Sequence, residues 1–153
     1  SQKQETTVQQ YPGKRVLVVE DAAVNRMLIT KVLEKHGLSV DAAIHGKEAV
    51  RMLENDRYDL VFMDCQMPEM DGFEATRTIR RHEAEEGKPH TNIIALTADA
   101  MVGDREKCLR AGMDDYMNKP LKFQEVANML ERWLGTARPD TNPPPDEDMY
   151  YAY

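Results

Sequence analysis

The sequence is poor in several things whose absence is informative. Its 153 residues contain two cysteines, Cys65 and Cys108, with no C-x-x-C pair and no His-rich neighbourhood. That excludes a disulfide framework or a zinc site and reads as two buried, reduced thiols. No run of aliphatic, Met or Phe side chains exceeds four residues, against roughly 18 needed to span a membrane. The opening SQKQETTVQQ has neither the charged start nor the apolar centre of a signal peptide. The expected setting is the cytoplasm, with no membrane contact by this segment, although a parent protein could be membrane-attached. Basic residues are outnumbered, 20 Lys and Arg against 27 Asp and Glu, for a net charge of −7. This argues against a nucleic-acid partner. The length is too small for a kinase catalytic domain or a barrel enzyme.

What is present is an alternation. VLVV (16–19), LVFM (60–63) and IIAL (93–96) are unbroken apolar runs, as in strands covered on both faces of a parallel sheet. SVDAAI (39–44) and DDYMN (114–118) are more polar and suit edge positions. Helical spacing fills the intervals. Val24, Leu28 and Val32 recur every four residues and end at Gly37, a C-terminal cap. Asp71 with Glu74 opens a helix in capping-box style. Phe123, Val126, Leu130 and Trp133 or Leu134 are the expected core stripe of a last helix, whereas the stripe over 101–111 is ragged. Five β-α units in one domain predict an α/β fold, a doubly wound parallel sheet. Residues 1–13 read as linker and 14–134 as the domain. Residues 135–153 carry four of the eight prolines and a net charge of −3, and read as a disordered tail.

Ligands of such sheets bind beyond the carboxyl ends of the strands. There the sequence places Glu20 and Asp21, Asp64, Thr97, and Asn118-Lys119-Pro120. Singly, each has an ordinary explanation: an Asp caps a helix, a Thr bonds its own backbone, a Lys is solvated. Together they converge on one crevice. Three neighbouring carboxylates repel unless a cation joins them. An all-oxygen set suits Mg²⁺ or Mn²⁺ rather than zinc, and Mg²⁺ favours carboxylates together with phosphate oxygens. The turn after the first strand, EDAAVNR, contains neither G-x-G-x-x-G nor G-K-[ST], so no nucleotide or flavin is expected. Asp64 has the position of a nucleophile that forms an aspartyl phosphate. Lys119 and Thr97 are placed to meet phosphoryl oxygens by charge and hydroxyl.

These residues resemble the receiver domain of two-component response regulators. VLVVEDAAVNRML, LVFMDCQMPEMDGFEATRTIR, IIALTADA and CLRAGMDDYMNKPL carry the likeness, over about Arg15 to Leu134. The M-D-C-Q-M-P-E-M-D-G run, with V-N-R-M, is most similar to receivers of hybrid sensor histidine kinases. The resemblance implies a flavodoxin-like fold with strand order 2-1-3-4-5. It implies phosphorelay signalling: Asp64 accepts phosphoryl from a histidine kinase or histidine phosphotransfer protein, and the signal passes on through partner contacts. It implies Mg²⁺ on Asp21, Asp64 and the backbone carbonyl of Gln66, with Glu20 reached through water. Thr97 and Lys119 then bind phosphoryl, Tyr116 is the aromatic switch beside Thr97, and the Lys119-Pro120 bond is cis. Ala22 departs from the Asn common after the acid pair. Gln66 and Asp99 fall where attacking water would approach, and Gln66, being no general base, implies a longer-lived aspartyl phosphate. Met63, Met67 and Met70 read as packing, and Arg77, Arg80 and Arg81 as a solvated face.

Two other functions compete. A hydrolase turning over an aspartyl phosphate wants Asp-x-Asp, and the sequence reads Asp64-Cys65-Gln66. A receiver-like scaffold, unregulated by phosphorylation, usually lacks an acid or the lysine, and all are present. The domain reads as a phosphoacceptor rather than a turnover enzyme, with its output in partners or in a larger hybrid kinase. The oligomeric state is left open.

Overall fold

Two strands of the sheet consist entirely of buried residues and a third does so apart from its first, Arg15, so their side chains must alternate between two cores, one on each face. The computed structural model describes residues 7–98 and 102–135. Its order is β1 (Arg15–Val19), α1 (Ala23–Lys35), β2 (Ser39–Ala43), α2 (Gly46–Asn55), β3 (Leu60–Asp64), α3 (Gly72–Glu86), β4 (Ile93–Thr97), α4 (Val102–Ala111), β5 (Asp115–Asn118) and α5 (Phe123–Leu134). The strands form one parallel sheet in the order β2-β1-β3-β4-β5. The fold is the expected α/β arrangement, and the two polar strands lie at its edges.

Leu17, Val19, Val61, Met63, Ile93 and Ala95 face one core, which Ala49, Ala75, Ile79 and Cys108 complete from α2, α3 and α4. Val16, Val18, Leu60, Phe62, Ile94 and Leu96 face the other, with Ile29 and Leu33 of α1 and Val126 and Leu130 of α5. Burying a large aliphatic side chain contributes about 1.5–3 kcal/mol, and these twelve strand residues account for most of the sheet's hold on its helices.

Helix ends follow local chemistry. Asp71 accepts from the Glu74 N–H at 2.8 Å and starts α3. Gly37 has φ +76°, the left-handed turn that ends α1 at the cost of no Cβ clash.

Several expectations need correction. Helix α1 forms where the apolar spacing indicates, but Val24 and Leu28 are exposed, and Ile29 and Leu33 fill the core instead. In α5, Phe123 is exposed and its ring stacks on His36, 5.4 Å between centroids. Arg80 is not solvated: it donates to the Gly112 carbonyl, to Glu83 and to Asp114 at 2.8–2.9 Å. Tyr11, inside the stretch read as linker, is buried against the α1/α5 core, and its hydroxyl donates to Glu131 at 3.2 Å. In α4 the buried side chains among those described are Cys108 and Ala111, which accounts for its ragged pattern. Residues 136–153 of the proposed tail, with its tyrosine cluster, and residues 1–6 lie outside the described residues. Among the described residues no helix is long and apolar enough to cross a membrane.

Candidate functional site

The parallel sheet aligns the carboxyl ends of β1, β3, β4 and β5 along one edge, and that alignment assembles the site. Glu20 follows β1; its N–H donates to Ala43 at 3.1 Å, which continues the pairing with β2 one residue further. Its carboxylate is 1% exposed. One oxygen, Oε2, accepts from the Ala22 N–H at 3.1 Å, at the start of α1. Ala22 itself contributes no capping side chain. Arg26, one turn into α1, donates to the carbonyls of Glu20 at 2.9 Å and Asp21 at 3.3 Å, holding the acid pair's backbone. Asp21 is exposed.

Asp64 ends β3 and is 3% exposed. Its Oδ1 accepts from the Gln66 N–H at 3.1 Å, and Oδ2 lies 3.1 Å from Lys119 Nζ. The same ammonium is 3.3 Å from Glu20 Oε1, an ion pair without the alignment of a hydrogen bond, so that buried oxygen accepts none. Lys119 is anchored by its own N–H, which donates to the Thr97 carbonyl at 2.8 Å, and its bond to Pro120 is cis. Gly72 at the start of α3 is a packing requirement. Its N–H donates to the Cys65 carbonyl at 3.0 Å, and a Cβ there would sit 2.3 Å from the Asp64 carbonyl.

Burial pushes the Asp64 carboxyl up to about 6; the Gln66 N–H opposes the shift, the Glu20 charge adds to it, and Lys119 opposes it. Burial also works against the Lys119 ammonium, yet the hydrogen bond and charge of Asp64, together with Glu20, hold its pKa above the ordinary lysine value.

Glu20, Asp21 and Asp64 each bring a carboxylate oxygen within 4.8 Å of the others. The donor set is all oxygen, and one buried oxygen of Glu20 accepts no hydrogen bond. A hard divalent cation fits both features.

The structure thus brings together Glu20, Asp21, Asp64 and Lys119. Gln66 contributes its N–H and leaves its side chain exposed. Thr97 is buried at the end of β4, and its hydroxyl donates to Asp104 on α4 at 2.9 Å. Tyr116 is half-buried in β5, with the Arg105 guanidinium 5.6 Å from its ring centroid. Asp99 lies outside the described residues. The sequence reading missed Arg26, Asp104 and Gly72. Only Gly72 carried a signal, its place directly after a helix-capping Asp, where a close backbone approach calls for glycine.

A family model described as the response regulator receiver domain matches residues 16–131. Hybrid signal transduction histidine kinase B of Dictyostelium discoideum is 44% identical over 130 residues, which are 79% of this chain and 7% of that protein. The chain therefore spans a small part of that relative. The receiver domain of the sensor histidine kinase PA1611 from Pseudomonas aeruginosa, solved with magnesium coordinated in its active-site cleft, is 46% identical with a TM-score of 0.73, covering 81% of this chain and 99% of that one. A chain from the co-crystal of the Saccharomyces cerevisiae phosphotransfer protein Ypd1 with the receiver domain of Ssk1 is 32% identical with a TM-score of 0.78, covering 82% and 92%.

Proposed function

We propose, because the chain belongs to the response regulator receiver domain family, that Asp64 accepts a phosphoryl group from a phosphohistidine in a Mg²⁺-dependent reaction. The observation that carries this is the environment of Asp64: a buried carboxylate at a strand end, held by one ammonium and flanked by two further acids. Glu20, Asp21, Asp64 and the backbone carbonyl of Gln66 would hold the metal, Glu20 through water. When bound, Mg²⁺ would neutralise the three carboxylates and the phosphoryl oxygens.

The chain's own residues do the rest. An oxygen of Asp64 attacks phosphorus, the phosphorus–nitrogen bond breaks, and its electron pair leaves with the imidazole. The Gln66 N–H orients the nucleophile through Oδ1. Lys119 keeps Asp64 ionised and, with three donors, turns to the phosphoryl oxygens as charge builds there. Thr97 exchanges its bond to Asp104 for one to phosphoryl, and Tyr116, on the neighbouring strand opposite Ala95, responds. This biases two arrangements of α4 and β5 that partners read.

The donor docks beside the site. Val24, Leu28 and Phe123 are exposed apolar residues, and Leu28, Ile29, Val32, Leu121 and Phe123 line a groove of about 310 Å³ that also touches Glu20 and Lys119. A phosphotransfer protein seated there would bring its phosphohistidine to Asp64. The parent would be a hybrid histidine kinase, with this segment in the cytoplasm.

Incubation with Mg²⁺ and acetyl phosphate tests the reading. Stable, Mg²⁺-dependent labelling that disappears in Asp64→Asn is expected. Rapid multiple turnover would mean a hydrolase, and absence of label in both proteins would leave a scaffold.

A further inference from the structure

The two thiols take no part in the chemistry above, yet they meet beside it. Cys65 follows Asp64, and Cys108 lies on α4, 43 residues away in sequence; their sulfurs are 3.9 Å apart, and both thiols are free and buried. As small apolar side chains they fill the core, but that role alone asks for no sulfur facing sulfur. A disulfide requires a sulfur separation of about 2.05 Å. Closing that gap requires the two sulfurs to approach by about 1.9 Å.

The two sides are held differently, although the Cys108 carbonyl also accepts a hydrogen bond, from the Met113 N–H at 3.0 Å. Cys65 is fixed: its N–H donates to Leu96 and its carbonyl accepts from Gly72, each at 3.0 Å. Helix α4 presents Cys108 and Ala111 as its buried side chains among those described. Among the described residues its other contacts include Lys107 over the Phe73 ring at 5.1 Å, Arg105 over Tyr116 at 5.6 Å, and the part-buried Asp104 bond to Thr97. An element with so little buried apolar surface opens locally at low cost. Opening admits a small oxidant to sulfurs that are covered in the closed state.

We propose that Cys65 and Cys108 form a reversible intramolecular disulfide on exposure to a peroxide, tying α4 to the strand end that carries Asp64. One sulfur, as thiolate, attacks a peroxide oxygen; the O–O bond breaks and the departing oxygen takes a proton as water. The resulting sulfenic acid is attacked by the second sulfur, the S–S bond forms, and the sulfenic oxygen leaves as a second water. The sulfurs together give up two electrons, and peroxide is reduced to two waters. A thiol reductant reverses the bond by exchange. The regulatory consequence rests on the receiver reading: a fixed α4 keeps Asp104 on Thr97 and slows the rearrangement that phosphorylation requires.

The 153-residue chain, treated with hydrogen peroxide, quenched, denatured and exposed to N-ethylmaleimide, decides the chemistry by intact mass. Loss of two hydrogens, no alkylation, a tryptic peptide joining Cys65 to Cys108, and recovery of both thiols with dithiothreitol are expected. In Cys108→Ala and in Cys65→Ala the remaining thiol should alkylate or gain oxygen. Two alkylated thiols, oxygen adducts alone, or an intermolecular cross-link in the unsubstituted protein would overturn the disulfide. Labelling by acetyl phosphate should then be about fivefold slower in the oxidised protein, the lower end of ordinary coupling between sites. Equal rates would overturn the regulatory role. Failure to label even when reduced would remove the receiver reading and leave the mass result standing.

Discussion

The Thr97 hydroxyl donates to Asp104 across 2.9 Å, so a residue at the carboxyl end of β4 is hydrogen-bonded to the first turn of α4. In this arrangement the strand end and the helix are one unit, and Thr97 can serve a phosphoryl group only by exchanging partners.

That exchange has a measurable cost. A side-chain hydrogen bond contributes about 1 kcal/mol net. Asp104→Ala should therefore raise the apparent affinity for beryllofluoride about fivefold, with Mg²⁺ held constant. Fluorescence or calorimetric titration reads it. Asp104→Ala combined with Thr97→Ala should lose the gain, because the freed hydroxyl is then gone.

Asp64 should make stability fall as pH rises. Its folded-state pKa of about 6 lies above the ordinary 3.8, so the fold favours the protonated carboxyl. That contribution is full below the unfolded value and is lost as pH rises through the folded one. Asp64→Asn should then be more stable than the native protein by about 2–3 kcal/mol at pH 8, with the difference shrinking towards zero near pH 4. Denaturant unfolding across that range, without metal, checks the sign and the window. Mg²⁺ should raise the melting temperature of the native protein at pH 8 and do so less at pH 5, where Asp64 is protonated.

On the proposed function, docking on the exposed α1 face is separable from the chemistry at Asp64. Leu28→Asp places a charge in the groove beside Lys119 and Glu20, outside the phosphoryl site. Transfer from a phosphorylated phosphotransfer protein should slow about tenfold or more, the effect of losing an apolar anchor. Labelling by acetyl phosphate should be unchanged. Parallel slowing of both would place Leu28 in the site's own architecture.

Gly72→Ala tests the packing beneath the nucleophile. The added methyl would lie 2.3 Å from the Asp64 carbonyl and 3.0 Å from the Cys65 Cα. Both are backbone, so relief requires shifting β3 or α3, at about 1–3 kcal/mol or more. Thermal unfolding should show the loss. Gly103→Ala, where nothing lies within 4 Å, should show none.

Sequence and structure part company along α1. Val24, Leu28 and Val32 have helical spacing and the helix is there, yet its core residues are Ile29 and Leu33. Periodicity reports a face but not what covers it, and an apolar docking surface carries the same pattern as a core. Phe123 misleads for the same reason. Arg80 read as solvated because its acceptors, Gly112 and Asp114, lie more than thirty residues away.

By itself the sequence determined the alternation of strands and helices, because unbroken apolar runs and capped helices are local patterns. It also determined which residues end the strands, and so which carboxylates and which lysine share an edge. Tertiary structure alone decided that Lys119 sits between Asp64 and Glu20, that Thr97 is engaged by Asp104, and that Cys65 meets Cys108. The first and third of those contacts join separate β-α units, and the second ties a strand end to the helix that follows it. Their geometry depends on strand register and helix packing, and no short-range pattern carries that information.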